Sequence, residues 1–197
     1  DERGFSFRPG VALDMRMSGK GESAADLLNT ATVEELTRIF REYGDEPRAR
    51  RLANEIVRRR STRDFVIADD LVGAIRGAFG ASAGPGDFAR LFQALRIAVN
   101  DELSGLERVL PILRDMLVPG GTLSIIAYHS GEDRLVKHAM RAWSTACTCP
   151  PRQPVCTCGG VALGRLVTRK SITASAAEIA RNPRARSAHL RSWQKVA

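Results

Sequence analysis

The sequence of 197 residues predicts an α/β fold joined to a helical subdomain. The apolar run 123–127 is typical of a central strand buried on both faces, because it does not alternate with polar residues. A Gly-Gly turn precedes this strand and a helical pattern over 132–143 follows it, which makes one α/β unit. Residues 23–90 show helical patterns only, so we expect an all-helical subdomain there.

Local signals predict the individual elements. Thr32 and Glu35 form a capping box that opens a helix. Apolar residues recur at helical spacing over 88–117, which predicts a long amphipathic helix that is kinked or split near Pro111. Two further strands are expected, and we predict that they pair antiparallel with each other at the edge of the sheet. Their predicted ranges are 161–169 and 190–196.

The chain is strongly basic, with a formal net charge of +8. Most of its basic residues are arginine, which binds phosphate in a planar, bidentate geometry and stacks on bases. A polyanionic partner such as nucleic acid is therefore expected. No apolar run of about 18 residues occurs, and the start lacks the apolar core of a signal peptide, so no membrane contact and a cytoplasmic location are expected.

Residues 1–22 are rich in Gly, Arg and Pro without a sustained period, and we interpret them as a core-associated loop. Within this loop Asp14 and Arg16 pair an acid with a base, and a surface salt bridge explains the pair without any function. Large apolar side chains flank the pair and are costly to expose. The segment is therefore expected either to pack on the core or to cover a ligand.

The turn after the predicted strand holds His129, Ser130, Glu132 and Asp133. In α/β proteins, ligands bind at the carboxyl ends of strands, which is where this turn lies. Ser130 is expected to cap the next helix, whose first turn then holds the two acids. Capping leaves His129 unexplained, so we predict that His129 lies in a functional site as a general base or hydrogen-bonding group.

Four cysteines form a Cys-x-Cys-x6-Cys-x-Cys pattern. They are Cys147, Cys149, Cys156 and Cys158. Four soft ligands within twelve residues are enough to hold one structural Zn2+ in a tetrahedral site. Disulfides and unligated thiols are the alternatives, and the lack of a recognisable secretion signal favours reduced thiols over disulfides.

The segment from residue 165 to the end carries eight basic residues and a single acid, Glu178. Such a ribbon is suited to phosphate contacts in RNA or DNA, and a solvated terminal face is the alternative.

Four segments in this order resemble the ribosomal RNA small subunit methyltransferase H family, and the similarity covers nearly the whole chain. They are Arg3-Gly4-Phe5-Ser6-Phe7 with Leu13-Asp14-Met15-Arg16-Met17, Phe92–Leu103, Gly120–Lys137, and Asn182-Pro183-Arg184-Ala185-Arg186-Ser187. The resemblance implies a class I Rossmann-like methyltransferase core with an inserted all-helical subdomain at residues 23–90. Residues 91–197 are then the C-terminal part of that core. The implied activity uses S-adenosylmethionine to methylate the exocyclic N4 amine of a cytidine in the decoding region of small-subunit ribosomal RNA.

That chemistry needs hydrogen-bond acceptors near the amine, because the lone pair of cytosine N4 is delocalised and a proton must leave as the C–N bond forms. The catalytic candidates that this chain offers are Asp14, His129 and Asp133. The substrate-binding candidates are Arg16, Arg90, Arg134, Arg184 and Arg186. The expected partner is small-subunit ribosomal RNA or the assembling subunit.

The chain also departs from the family pattern. Family members carry the glycine-rich cofactor loop before the Arg-Gly-Phe-Ser-Phe motif, which begins here at Arg3. We therefore expect this chain to be a C-terminal portion that lacks the first half of the sheet, binds the cofactor poorly and is inactive alone. The cofactor-binding residues are expected upstream of Asp1. Gly131 stands where the family usually has leucine and is expected to loosen the turn. A noncatalytic RNA-binding or ribosome-assembly protein derived from this fold is the alternative.

Overall fold

The computed structural model describes residues 3–147, 149, 153, 155 and 157–196. The chain divides into two compact units, Asp1–Glu102 and Leu103–Ala197. This boundary lies after the helix Pro85–Asn100, which includes residue 90, so it is about twelve residues later than the predicted limit at 90/91. The prediction that the helical subdomain is an insertion in a Rossmann-like core stays a prediction.

The first unit consists of five helices preceded by the loop of residues 3–22. The helices are α1 (Ala24–Thr30), α2 (Val33–Glu42), α3 (Ala49–Arg60), α4 (Ala68–Phe79) and α5 (Pro85–Asn100). The predicted capping box of α2 is confirmed, because the Thr32 side chain accepts from the Glu35 amide and the Glu35 carboxylate accepts from the Thr32 amide. These reciprocal bonds satisfy backbone donors that the helix itself leaves unpaired.

One apolar core joins these helices, and the N-terminal loop packs on it. Leu13 and Met15 are buried, although Met17 is 54% exposed. Backbone bonds hold the loop in place, since the Leu13 amide donates to the Val66 carbonyl and the Met15 amide to the Arg3 carbonyl. Of the two interpretations of this segment, packing on the core is therefore confirmed for Leu13 and Met15. The fully buried large side chains of the unit include Leu36, Phe40, Leu52, Ile56, Phe65, Leu71, Ile75 and Phe92.

The long helix predicted over 88–117 is split, but not at Pro111. Helix α5 ends at Asn100, and Asp101 follows in the left-handed region with φ of 49°. The next helix, α6 (Glu102–Met116), continues through Pro111. Aspartate tolerates the left-handed backbone conformation better than most residues, so α5 can end before Asp101. The spacing of the apolar residues continues past this position and therefore does not predict the break.

The second unit contains a small antiparallel sheet and helices. After α6 come β1 (Thr122–Ala127), α7 (Ser130–Trp143), β2 (Gly164–Leu166), β3 (Ile172–Thr173), α8 (Ala176–Arg181) and β4 (His189–Lys195). Strand β4 pairs antiparallel with β1, β2 and β3. The predicted last strand and its antiparallel partner are confirmed, although β2 is only three residues long.

The prediction that β1 is buried on both faces is wrong for the described residues. Its residues alternate, with Thr122, Ser124 and Ile126 exposed and the intervening side chains partly covered. One face packs on α7, while the other face is exposed in the described part of the chain, which is the arrangement that antiparallel sheets commonly adopt. An apolar run alone does not distinguish this arrangement from a strand covered on both sides.

Two tryptophans form the centre of the second core. The rings of Trp143 and Trp193 meet edge to face with centroids 5.2 Å apart, and Trp193 is completely buried. The indole Nε1–H of Trp193 donates to Ser144 Oγ at 3.1 Å, so its polar group is satisfied inside the core. Gly164 on β2 passes directly over this ring, where a Cβ would overlap both the ring and the Gln194 carbonyl. In the part of the chain that the structure describes, no helix combines the length and apolarity needed to cross a membrane.

We predict that Gly164→Ala destabilises the second unit by about 1–3 kcal/mol, the usual cost of forcing extra volume into a packed site. Gly105→Ala is the matched control, because Gly105 lies in α6 and the nearest atom to its Cβ would be 4.0 Å away. This control is expected to raise the free energy of unfolding by about 0.5–1 kcal/mol through the helix propensity of alanine. Urea unfolding followed by tryptophan fluorescence measures both values. Equal stability of the two variants would contradict the close approach at Gly164.

Candidate functional site

A polar cavity of about 550 Å³ lies where β1 ends and α7 begins. This volume is in the range of ligand sites in proteins. The cavity brings together predicted site residues from separate segments, namely His129, Asp133 and Arg134 from the turn and helix and Arg186 from the C-terminal tail. Its lining residues are Tyr128, His129, Ser130, Asp133, Arg134, Lys137, Arg186, Ser187 and His189. Three of these side chains are permanently cationic and one is a carboxylate, so the cavity favours an anionic ligand.

His129 caps helix α7, a role that the sequence assigned to Ser130. The imidazole Nδ1 accepts from the amides of Gly131 at 2.9 Å and Glu132 at 3.3 Å. The prediction for Ser130 is therefore wrong, because the ring of His129 reaches these amides and α7 already begins at Ser130. A ring nitrogen that accepts cannot carry a proton, so the neutral imidazole holds its proton on Nε2.

The Nε2 atom of His129 is buried and has no hydrogen-bond partner among the described residues. A buried N–H without a partner costs roughly 1–3 kcal/mol and is uncommon in folded proteins. In this tautomer Nε2 is a hydrogen-bond donor and Nδ1 is already used as an acceptor. His129 acting as a general base stays a prediction, and the contacts of Nδ1 favour the donor role.

Gly131 allows the His129 ring to lie in this position. A Cβ on Gly131 would lie 2.7 Å from His129 Cε1 and 3.2 Å from a methyl group of Leu103. Gly131 is buried, so this contact is part of the packing at the start of α7. The expectation that Gly131 loosens the turn is therefore wrong: the small residue makes room for the capping imidazole.

Asp133 on α7 forms a bidentate ion pair with Arg191 on β4. The two N–O distances are 2.7 and 2.8 Å, and both side chains are largely covered. The hydrogen bonds from Arg191 hold the pKa of Asp133 below its usual value. Asp133 is thus ionised at neutral pH and ties the helix to the sheet. The catalytic role of Asp133 stays a prediction. The ion pair with Arg191 favours a role in which Asp133 positions α7 against β4.

Asp14 and Arg16 form a similar pair in the first unit. Arg16 Nε and a terminal guanidinium nitrogen donate to the two carboxylate oxygens at 2.8 Å each, and the Arg16 amide adds a bond of 3.0 Å. These bonds lower the pKa of Asp14 to about 2. Arg16 also donates to the Gly21 carbonyl. The local salt bridge foreseen from the sequence is therefore present, and any role in substrate binding stays a prediction.

Arg90 is engaged inside the first unit. Its guanidinium donates to the Gly44 carbonyl, to Glu46 at 2.6 Å and to Asp87 at 3.0 Å. The Glu46 side chain is completely covered, and although burial opposes its ionisation, hydrogen bonds from Arg90 and Arg48 lower the pKa of Glu46 overall. Substrate binding by Arg90 stays a prediction. Its contacts are those of a residue that stabilises the turn after α2.

The Asn-Pro-Arg-Ala-Arg-Ser motif forms a short 3-10 helix, Pro183–Ser187. The side chain of Asn182 accepts from the Arg184 amide at 3.2 Å, and Ala185 is buried. These contacts set the orientation of the motif, so Arg186 and Ser187 line the cavity. Arg184 is exposed and is not among the lining residues.

Sequence reasoning missed three residues at this site. Lys137 lies one turn after Arg134 on α7, so the helical period was a usable signal. Arg191 alternates with Trp193 on β4, which places both on the face toward α7, and this period of two was a usable signal as well. His189 had no such signal. It reaches the cavity because it pairs with Ala127 at the end of β1.

Three of the four predicted metal ligands lie together. The sulfur atoms of Cys147, Cys149 and Cys158 are all within 4.8 Å of one another. Cys156 lies outside the described residues. Hydrogen bonding from the backbone of Thr157 lowers the pKa of the Cys149 thiol.

Residues 1–196 match the family described as the MraW methylase family. The chain is also similar to proteins named ribosomal RNA small subunit methyltransferase H. The one from Gemmatimonas aurantiaca is 61% identical over 195 residues, which is 98% of this chain and 62% of that protein. Those from Geobacter sp. and Anaeromyxobacter sp. are 49% and 50% identical over 100% and 99% of this chain, and 64% of each relative is covered.

This chain belongs to the MraW methylase family. The resemblance noted in the sequence motifs is thus confirmed. The chain spans slightly less than two thirds of the length of these relatives.

We predict that Asp14→Asn lowers the free energy of unfolding at pH 7. Because the folded-state pKa of about 2 lies below the ordinary value of 3.8, the stabilisation by the carboxylate is fully present above about pH 4. It is lost as the pH falls through about 2. Urea unfolding at pH 7 and near pH 2 should therefore show a stability difference from the unmodified chain only at the higher pH. Asp64→Asn, at an exposed aspartate in the same unit, is the control, and an equal loss in both variants would contradict a specific Asp14–Arg16 contribution.

Proposed function

We propose that this chain forms the RNA-contacting part of an S-adenosylmethionine-dependent methyltransferase that modifies the N4 amine of a cytidine in the decoding region of small-subunit ribosomal RNA. Membership in the MraW methylase family and the names of the relatives support methylation of this RNA. The cavity at the start of α7 is the observation that carries the proposal, because it brings three basic side chains from two elements to one place beside His129.

The cations of the cavity fit an RNA backbone. Arg134 and Lys137 come from one turn of α7, and Arg186 comes from the 3-10 helix of the tail. Cations from two elements at one cavity can contact adjacent phosphates and fix the orientation of a strand. The cavity volume leaves room for a nucleotide beside these groups.

His129 is proposed to hold the substrate by hydrogen bonding. Its Nδ1 is used by the cap of α7, which leaves Nε2 as the ring nitrogen for the nucleotide; Nε2 is buried in this structure, so we propose that the nucleotide displaces the groups that cover it. Because the cap fixes the ring, the donor is preorganised and loses little entropy when it binds. We assign to Asp133 the role of holding α7 against β4 through Arg191, which keeps His129 and Arg134 in position.

We propose separately that Asp14 of the first unit is a hydrogen-bond acceptor for an amine of the substrate. Its carboxylate is ionised at neutral pH, and it can accept a hydrogen bond from N4–H and so turn the nitrogen lone pair toward the methyl donor. A pKa of about 2 makes the group a weak base toward the neutral amine. The alkylated amine is much more acidic, however, so even a weakly basic carboxylate is able to take its proton.

The described residues do not fit a site for S-adenosylmethionine. The adenosyl ribose is held by an acidic side chain, whereas the described cavity is lined by three basic side chains and a single carboxylate, that of Asp133, which holds α7 to β4 through Arg191. The described part of the chain also shows no glycine-rich turn between a strand and a helix, since β1 is followed by Tyr128-His129. We therefore place donor binding in the part of the relatives' length that this chain does not match.

A noncatalytic RNA-binding or ribosome-assembly role is the second candidate. The pairing of Asp133 with Arg191 favours it, because this pairing leaves the described cavity with donors and cations but without a base. The gene's full-length product, incubated with radiolabelled S-adenosylmethionine and small-subunit RNA, distinguishes the two. Transfer to one cytidine, located by mass spectrometry of nuclease fragments, supports the enzyme. RNA binding without transfer supports the second candidate.

We predict that His129→Asn and His129→Ala in the full-length product differ in stability but share a loss of activity. Asparagine can still cap α7, whereas alanine cannot, so His129→Ala should cost about 1 kcal/mol more in unfolding free energy. Both variants lose the Nε2–H donor, and methyl transfer should fall about 100-fold or more in each. RNA affinity should stay within about twofold, because phosphate contacts supply most of the binding free energy and His129 orients only one nucleotide. If His129→Asn kept its activity and only the less stable His129→Ala lost it, His129 would serve only as a cap.

We predict that Arg186→Ala and Arg134→Ala each weaken binding of the chain to small-subunit RNA and reduce the slope of log affinity against log salt by about 1. Arg141→Ala is the matched control, because Arg141 is an exposed arginine on α7 that does not line the cavity. Filter binding at several salt concentrations measures the slopes. If Arg141→Ala lost as much RNA affinity as the cavity variants, the binding would reflect diffuse electrostatic attraction without a defined site.

A further inference from the structure

The connection between α7 and β2 is closed at its base by backbone contacts. The Leu163 amide donates to the Trp143 carbonyl at 2.9 Å. Further along the connection, Gly160 lies so close to the Ala146 carbonyl that a Cβ on this glycine would overlap the oxygen. The two ends of the segment therefore run side by side. This close approach places Cys147, next to Ala146, near Cys158.

The sulfur atoms have the spacing of metal ligands. Cys158 Sγ lies 3.8 Å from Cys147 Sγ, and Cys149 Sγ lies within 4.8 Å of both. Sulfurs at the corners of a tetrahedron about 2.3 Å from a Zn2+ ion are about 3.8 Å apart. A disulfide requires about 2.05 Å, so the Cys147–Cys158 pair has the metal spacing and not the covalent one.

Solvent can reach the thiol cluster. Cys147 and Cys158 are exposed at their sulfur-bearing side chains, so an ion can reach the cluster from solvent.

We propose that Cys147, Cys149 and Cys158 bind one Zn2+ ion as thiolates, and that Cys156 is the fourth ligand. The first three are placed by the structure, and the fourth follows from the Cys-x-Cys-x6-Cys-x-Cys spacing, since Cys156 lies outside the described residues. Four thiolates leave no open position, so the site is structural. It fixes the connection between α7 and β2 and does not depend on methyl transfer.

Metal content of the chain, purified under reducing conditions without chelator, tests this proposal. Elemental analysis should give about one equivalent of zinc, and Cys147→Ser or Cys158→Ser should reduce it to below about a tenth of an equivalent. His138→Ala is the control, because it removes an exposed possible ligand of the same unit outside the cluster and should leave the zinc content unchanged. Less than about half an equivalent in the unmodified chain, or unchanged zinc in the two serine variants, overturns the proposal.

Two further measurements keep the test independent of variant folding. Co2+ added to the metal-free chain should give the intense visible bands of tetrahedral thiolate coordination, and weak octahedral bands would overturn the proposal. Cys156→Ser should weaken zinc retention against a chelator about tenfold or more, and unchanged retention would overturn the assignment of the fourth ligand. Intact mass and thiol titration of the non-reduced chain should show no disulfide, and a disulfide-linked chain without zinc is the contrary result.

Discussion

The second unit depends on the pairing of strand β4 with every other strand of its sheet. Three side chains that lie two residues apart on β4 make different contacts. His189 reaches the cavity, Arg191 binds Asp133, and Trp193 fills the core against Trp143. Side chains at alternate positions share one face of a strand, so a shift of β4 by a single residue would turn all three away together. The register of this one strand therefore controls both the stability and the site of the unit.

The two acids predicted as catalytic candidates are held in ion pairs. Asp14 and Asp133 each bind an arginine through both oxygens, and each has a lowered pKa. A carboxylate in such a pair stays ionised and fixed in direction, which suits hydrogen-bond acceptance or positioning better than proton abstraction from a neutral group. The same argument applies to His129, whose Nδ1 is committed to helix capping. Under our proposal, the site therefore acts mainly by orienting its ligand.

The basic character of the chain is divided between structure and recognition. Arg90 and Arg191 stabilise the fold through buried or half-buried acids, and Arg60 donates to the carbonyls of Leu28 and Ala31. Arg134 and Arg186 line the cavity. Net charge alone cannot make this distinction, because it depends on which acceptors the fold brings to each guanidinium. Our proposal for RNA binding therefore rests on the arginines of the cavity and not on the overall charge.

The sequence by itself determined the local elements, the family and the thiol cluster. The capping box at Thr32, the strand at 123–127 and the cysteine pattern are short-range signals that the neighbouring residues carry completely. Tertiary structure alone decided that β1 has an antiparallel neighbour and an uncovered face, that Asp133 binds Arg191, and that His189 joins His129 at one cavity. These contacts join residues about sixty positions apart, and the register that creates them is set by packing of whole elements rather than by any local preference.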